Sequence, residues 1–449
     1  MKNPLFILSF ICFTLPFIQA AKYAILVSGG QGFDNYRHEA NTFRLYQALI
    51  KNGFKADNII TMASDDSAYH PLNPFPGKIF NKPSTGSGQD VYEGVKIDYK
   101  GDEVTPENFL NILTGGDYFG PLGNSIHQRK IFKTTKEDNI FVYFTDHGLP
   151  GFLSFPNDKK IYADELNAAI KYMHQKKAYK EMVIYIEACN SASMFEDLLP
   201  NNLNVYAVTS ANANENAWSA YCGANAIVNG KEIGTCLGDA FSGTLIDHIS
   251  SFNSNIETLL NQFVHLKVGT TRSHVMRFGD FSIFRKTFGN FQADIPPNDS
   301  KGNNLLSHEE LEKQKAVQVG PMAIINEDHI VDSRLVKLHY LERRHVVHKN
   351  NETFNALNQE KQSIERFDRI FSRISSDLKL NVELDIKGID FACYKPRIET
   401  FENICGRFSE YGFKYVKYIH FSCSQNVSQV DYEKALLKYC VGEIDKVLS

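Results

Sequence analysis

Two short apolar runs along the chain end abruptly in polar residues. They are Asn139-Ile-Phe-Val-Tyr-Phe-Thr-Asp-His-Gly148 and Met182-Val-Ile-Tyr-Ile-Glu-Ala-Cys-Asn-Ser191. Both are β-branched and aromatic with no polar alternation, the pattern of strands buried on both faces of a parallel sheet. Residues 22–28, 59–62 and 204–210 repeat the pattern. Between the runs, apolar positions return at helical spacing. Phe43, Leu45, Tyr46, Leu49 and Ile50 follow Asn35-Tyr36-Arg37-His38 and stop at Asn52-Gly53. Thr105-Pro106 opens a second helix to Leu113, a third covers 161–170, and a fourth begins at Leu237-Gly238-Asp239-Ala240. Strands alternating with helices predict right-handed crossovers and a mainly parallel α/β sheet flanked by helices. Residues 65–101, rich in Pro, Gly, Asn and Ser, read as a long surface excursion.

The pattern changes after about Phe291. Asp294-Ile-Pro-Pro-Asn-Asp-Ser-Lys-Gly-Asn303 is a linker, and beyond it the chain turns helical and charged, notably over 331–349 and 360–380. We therefore expect an α/β domain over 21–291, a connecting segment over 292–350, and a separate all-helical domain over 351–449. The last would be pinned by disulfides, as a small core requires. Met1-Lys2, the apolar stretch from Leu5 to Phe13, and the small-residue exit at Ala20-Ala21 form a signal peptide over 1–20. No later apolar run reaches the ~20 residues that span a bilayer. No membrane anchor is implied, and the expected location is the secretory route, in a lysosome or vacuole or outside the cell. A net charge of −4 without a basic stripe argues against nucleic acid as a partner.

Cysteine usage narrows the chemistry. Of 8 cysteines, Cys12 leaves with the signal, so an odd number enters an oxidising compartment and one thiol stays free. Cys222 and Cys236 flank a short loop that they can close. Cys393, Cys405, Cys423 and Cys440 cluster near the C-terminus as two pairs. Cys189 is left over. A lone cysteine after an apolar run is usually a small buried hydrophobe. Here it ends one strand while His147 ends another, and open α/β sheets bind ligands beyond the carboxyl ends of their strands. Asn35, Arg37 and His38 fall at a loop-to-helix junction on the same edge. Gly29-Gly30-Gln31-Gly32 matches neither a dinucleotide fingerprint nor a P-loop, and the His and Cys residues lack zinc-ligand spacing. No cofactor or metal is implied.

Tyr143-Phe-Thr-Asp-His-Gly148, Tyr185-Ile-Glu-Ala-Cys189, Asn35-Tyr-Arg-His38, Ser273-His-Val-Met276 and the stretch from Trp218 to Cys222 closely resemble the legumains, the asparaginyl endopeptidases. The resemblance extends over nearly the whole chain. It implies a caspase-like fold with Cys189 as nucleophile, His147 as its acid/base partner and Asn35 orienting the imidazole. The backbone N–H groups of Gly148 and Cys189 would meet the oxyanion. Arg37, His38, Asp239 and Glu187 would form the pocket for the substrate side chain, with Asn216 and Trp218 beside it. A cation facing an anion complements a carboxamide, which offers an acceptor oxygen and a two-proton donor. Asn is then preferred, and Asp is accepted only when protonated at acid pH. In place of the Ser-Ser pair of many legumains this chain has Asn216-Ala217, a departure that bears on specificity.

By the same resemblance the helical tail is a prodomain that covers the site and is removed by self-cleavage at an Asn. The choices are Asn303-Asn304 and Asn350. Asn350 is preferred because a glycan on Asn351 would obstruct the next bond. Sequons stand at Asn298, Asn351 and Asn426. Arg343, Arg344, His345, His348 and Lys349 would pair with carboxylates of the catalytic domain, and acid would weaken those contacts. The implied partners are Asn-containing proteins and peptides, and the chain's own prodomain as inhibitor. An acyl-enzyme captured by an amine instead of water would ligate peptides. The alternatives are a glycosylphosphatidylinositol transamidase-like enzyme and a non-catalytic secreted binding protein.

Overall fold

The computed structural model describes residues 20–116, 130–294 and 325–441. Its first part contains, in order, β1 (Lys22–Ser28), α1 (Tyr36–Lys51), β2 (Ile59–Ala63), β3 (Tyr99–Lys100), α2 (Pro106–Leu113) and β4 (Asn139–Thr145). A small antiparallel sheet follows, β5 (Gly148–Leu149), β6 (Phe152–Phe155) and β7 (Lys159–Tyr162), and then α3 (Ala163–Gln175), β8 (Glu181–Glu187) and β9 (Val205–Thr209). Next come β10 (Trp218–Ala220), the hairpin β11 (Ile227–Val228) and β12 (Lys231–Glu232), and β13 (Gly238–Asp239). The part closes with α4 (Ala240–Ser251), α5 (Leu259–Gly269), β14 (Met276–Gly279) and α6 (Gly289–Gln292).

Seven strands form the main sheet in the order β14-β9-β8-β4-β1-β2-β3, and every neighbouring pair is parallel except β14 with β9. The central strands carry apolar side chains on both faces because helices cover both. Ile25, Val27, Val142 and Ile184 pack with Phe109 of α2 and Leu166 and Ile170 of α3. Ala24, Leu26, Tyr143 and Val183 pack with Leu45 and Leu49 of α1, Leu245 of α4 and Leu266 of α5. Burial of these surfaces, at about 25 cal/mol per Å², is the main force holding the layers.

The structure shifts three expected elements. The helix expected over 161–170 begins at Ala163, since Ile161 pairs with Leu153 in the small sheet, and the Glu165 side chain accepts from the Tyr162 amide at 3.0 Å to cap it. The helix expected from Leu237 begins at Ala240, because Gly238 and Asp239 pair with β10. The helical stretch expected from 331 is preceded by a strand, β15 (Ile330–Asp332), also paired with β10. In each case a cross-strand partner overrides local periodicity.

The tail comprises α7 (Val336–His348), α8 (Asn351–Asp377), α9 (Phe391–Cys405), α10 (Val416–Ser424) and α11 (Gln429–Leu436). Its helices thus begin at Val336, inside the span read from sequence as connecting segment. Phe367, Ile370, Phe371 and Ile374 recur at helical spacing on α8 and form the tail's core with Tyr394, Ile398 and Phe401 of α9. Disulfides Cys393–Cys423 and Cys405–Cys440 tie α9 to α10 and to the end of the chain, and Cys222–Cys236 closes the loop expected of it. The same core takes in Leu149 and Phe152, so the tail docks on the small sheet beside the end of β4. Among the described residues, no helix is long and apolar enough to cross a membrane. The signal peptide through residue 19, the sequon at Asn298 and the Asn303-Asn304 pair lie outside the described residues. Asn351 and Asn426 are exposed.

Candidate active site

Strands β4 and β8 run side by side with Thr145 opposite Glu187. His147 and Cys189, each two residues further on, therefore leave the same edge of the sheet as neighbours. The Asp146 amide donates to the Glu187 carbonyl at 3.2 Å, which extends the pairing past the strand ends. Gly148 fits only as glycine: a Cβ there would sit 2.1 Å from the Cys189 carbonyl oxygen. After Cys189 the chain turns sharply through Asn190, at φ 54°, whose side-chain amide donates to the Ala213 carbonyl at 2.8 Å. Cys189 is the free cysteine among the described residues and is 2% exposed. Its sulfur accepts from the Ala217 amide at 3.3 Å. Burial pushes the thiol up to about 11, a little offset by the Arg334 guanidinium.

Asn35 joins this pair from the start of α1. His147 Nε2 donates to Asn35 Oδ1 at 2.9 Å, and the Asn35 amide donates to the Gln31 carbonyl at 3.1 Å. Its other acceptor belongs to the tail: Glu410 Oε1 at 2.8 Å. Glu410 also lies 3.4 Å from His147 Nε2, and the Phe413 ring stands 5.7 Å from the imidazole. Burial disfavours the imidazolium, yet the Glu410 and Asp146 carboxylates outweigh it and the His147 pKa is raised. Burial likewise opposes the Glu410 charge, but His147 and Arg37 win and hold its carboxyl at about 2. Residue 410 follows Asn35 by 375 positions, and no local pattern marks it.

Arg37 and Asp239 face each other as expected. Arg37 Nε donates to Asp239 Oδ1 at 3.2 Å, with the two side chains 0% and 2% exposed. Arg37 Nη2, also buried, has no hydrogen-bond partner among the described residues. Asp239 is steadied further by Asn41 at 2.6 Å and Ser219 at 2.9 Å. Glu187 accepts from the Ser242 amide and hydroxyl, both at 3.0 Å, and burial with the nearby Asp239 pushes its carboxyl up to about 8. His38 sits below the pocket with Nδ1 on Thr145 Oγ1 at 2.9 Å, and burial and Arg37 keep it neutral. Asn216 and Trp218 flank the approach, and Arg272 stacks on the Trp218 ring at 5.2 Å.

Asp146, Ala217, Ser219 and Arg334 also belong to this neighbourhood. Asp146 was legible as the acid beside His147, Ala217 as half of the Asn216-Ala217 departure and Ser219 within the Trp218 to Cys222 stretch; Arg334 has no sequence signal. Although the spacing of His and Cys implied no metal, the fold brings ligand atoms of His38, Asp146 and His147 within 4.8 Å of one another. His38 Nδ1 and His147 Nε2 already meet Thr145 and Asn35, while His38 Nε2 and Asp146 Oδ1, 3.6 Å apart, have no hydrogen-bond partner among the described residues.

Comparison with known proteins places this geometry. Residues 22–294 match the peptidase C13 family, and residues 355–440 match the legumain prodomain. The chain belongs to the peptidase C13, or legumain, family. Among its relatives, the vacuolar-processing enzyme delta-isozyme of Arabidopsis thaliana is 34% identical, over 94% of this chain and 91% of that one. The legumain of Canavalia ensiformis is 33% identical over 94% and 89%. The hemoglobinase of Schistosoma mansoni is 40% identical over 63% and 62%. This legumain-family chain is a cysteine endopeptidase made as a zymogen, with protein substrates and its own prodomain as inhibitor. The tail match sets it apart from the transamidase-like alternative and from a purely binding role.

Proposed function

We propose that the enzyme cleaves after Asn, and after Asp at acid pH, with Cys189 as nucleophile, His147 as acid/base and Asn35 orienting the imidazole. The observation that carries the reading is the parallel register of β4 with β8, which sets an unpaired thiol beside an imidazole, next to the facing Arg37 and Asp239. An amide oxygen only accepts, so Asn35 keeps a proton on His147 Nε2 and leaves Nδ1 to exchange protons with the thiol. The Cys189 S–H proton passes to His147 and the thiolate attacks the carbonyl carbon that follows the Asn side chain. Backbone N–H groups of Gly148 and Cys189 meet the oxyanion. The C–N bond breaks as His147 returns the proton to the leaving amine, giving a thioester. Water, deprotonated by His147, then releases the acid. An amine in place of water forms a new peptide bond, so ligation shares the same intermediate.

The tail would leave in acid after self-cleavage at Asn350, which is exposed at the turn between α7 and α8 and caps α8 by accepting from the Thr353 amide at 2.9 Å. The vacuolar-processing names of its relatives support a vacuolar or lysosomal setting, with glycans at Asn298, Asn351 and Asn426. The test is a peptide series differing only in Asn, Asp or Ala at one position, run with the wild type and Cys189→Ala. Cleavage after Asn that vanishes in Cys189→Ala is expected. Turnover retained without the sulfur, or equal turnover after Ala, would refute the assignment.

A further inference from the structure

The strand β15 lies across the site in a way that the tail's docking does not require. It runs antiparallel to β10, with Trp218 opposite Asp332, Ser219 opposite Val331 and Ala220 opposite Ile330. The pairing continues at both ends: the Tyr221 amide donates to the His329 carbonyl at 2.8 Å, and the Ser333 amide donates to the Ala217 carbonyl at 3.2 Å. The same Ala217 residue donates its own amide to the Cys189 sulfur at 3.3 Å. Ser333 is thus held one residue from the nucleophile. Arg334, the next residue, reaches past it, its Nη2 donating to Asn190 Oδ1 at 2.5 Å. The segment from Ser333 to Arg334 therefore runs from Ala217 to Asn190, the residues that flank the sulfur in space and in sequence.

The side chains agree with this register. Ser333 Oγ meets Ser219 Oγ at 2.9 Å, and Ser219 in turn donates to Asp239 Oδ1 at 2.9 Å. The serine hydroxyl stops one hydrogen bond short of the Arg37–Asp239 pair, and Arg37 Nη2 stays without a partner. A longer carboxamide in its place has a buried donor waiting for it. The residue before Ser333 is Asp332, whose Oδ2 accepts from the side-chain amide of Asn216 at 2.7 Å. Asn216 stands where many relatives were expected to carry a serine, and its reach makes this contact.

We propose that Asn216 selects an acidic side chain immediately before the cleaved Asn, in a substrate that pairs along β10 in the place of Ile330–Ser333. Backbone pairing along β10 supplies sequence-independent affinity, as in other strand-addition sites, and the alternating side chains supply preference. Asn216 is then a specificity-determining residue. The inference rests on the proposed roles of Cys189 and the Arg37–Asp239 pocket.

Two peptides, identical except for Asp-Asn against Ala-Asn at the cleaved position, test it on the full chain after it has processed itself. The kcat/KM for Asp-Asn should exceed that for Ala-Asn by roughly three- to tenfold, the scale of one half-exposed charged hydrogen bond. In Asn216→Ala the ratio should fall towards one. Equal rates in the wild type would overturn the role of Asn216 alone; no cleavage of either peptide would overturn the Asn reading and this inference with it. The register has its own check. Full-length Ser333→Asn should cut itself between residues 333 and 334, seen by mass spectrometry. An intact bond there, in a chain that still processes itself elsewhere, would overturn the substrate-like placement of β15.

Discussion

Glu410 of the tail and His147 of the catalytic domain stand 3.4 Å apart and hold each other charged against the pull of burial on both. The signs of the two shifts set the pH range of this clamp. His147 is raised in the closed form, so its contribution to closure is complete below its open-state pKa and fades as pH rises through the raised one. Glu410 is lowered, so its contribution is complete above its open-state value and is lost progressively as pH falls from there through about 2. The clamp is therefore strongest in mild acid, the condition in which the prodomain was expected to let go.

Replacing Glu410 by Gln should weaken closure at neutral pH without touching the strand ends that carry Cys189 and His147. The full-length variant should then react with a thiol alkylating agent at Cys189 several times faster than the wild type at pH 7. Equal alkylation rates would show that Glu410 does not hold the lid.

The proposed release in acid must then begin at the rim. Lys160–Glu402 at 2.7 Å, Lys395–Asp164 at 2.9 Å and Arg343–Glu232 at 2.6 Å join the two parts, as does Arg407 with Asp158. Of the basic residues expected to make such contacts, Arg343 does so, whereas Arg344 pairs within the tail, with Glu352. Partly exposed pairs are worth about 0–1 kcal/mol each, so only their sum matters. Glu402→Gln with Asp164→Asn should raise the pH midpoint of self-processing by about half a unit, read on gels across a pH series. An unmoved midpoint would place the trigger elsewhere.

Much of this arrangement was legible in the sequence because it depends on runs of neighbours. Residues 140–144 and 182–186 read as buried strands since every side chain in them is aliphatic or aromatic, and a strand buried on both faces leaves that mark. The unpaired state of Cys189 followed from counting thiols. What was not legible depends on contacts made at long range. The three-residue strand β15 has no periodicity of its own and exists because β10 pairs with it. Glu410 is an ordinary acid in sequence and acquires its role from the docking of a domain far along the chain. Ala217 acts through its backbone, which no side-chain motif can announce.

The disulfides bear on latency through the tail's stability. Cys405–Cys440 closes a loop of sequence separation 35, for which the chain-entropy estimate is about 4 kcal/mol. Cys405→Ala with Cys440→Ala should loosen α9 against the end of the chain and speed limited proteolysis of the tail at neutral pH. The catalytic domain, held by its own core, should keep its proteolytic pattern. Identical digestion of the tail in the two proteins would contradict the estimate.

Asn35 should act on rate more than on binding. Its Oδ1 accepts from His147 Nε2 at 2.9 Å and from Arg37 Nη1 at 3.1 Å, but Arg37 keeps Asp239 and the Asp34 carbonyl, so the main loss in Asn35→Ala is the acceptor that fixes the imidazole's orientation and tautomer. We expect kcat for an Asn peptide to fall by about 10²-fold with little change in KM, and the acid limb of the pH profile to move with the His147 pKa. An increase in KM at constant kcat would mean that Asn35 serves the substrate side chain instead.

The preference between Asn and Asp should itself depend on pH, with a slope fixed by the pocket's charges. Arg37 and Asp239 face the bound side chain as a pair, and Glu187, pushed up to about 8 by burial and Asp239, is neutral in mild acid and adds no further negative charge. A carboxamide satisfies both members of the pair. A carboxylate satisfies Arg37 but meets Asp239 with like charge, so Asp binds as the neutral acid, which offers an O–H where Asn offers an N–H. Above the substrate's own pKa, near 3.9, the neutral fraction drops about tenfold for each pH unit. The ratio of kcat/KM for Asp over Asn peptides should therefore rise by roughly tenfold per unit as pH falls from about 7 to 5, and level off near 4. Taking the ratio cancels the titration of Cys189 and His147, which both substrates share. A ratio that stays flat across this range would mean that the Asp side chain enters charged, and that Asp239 is not the group it faces.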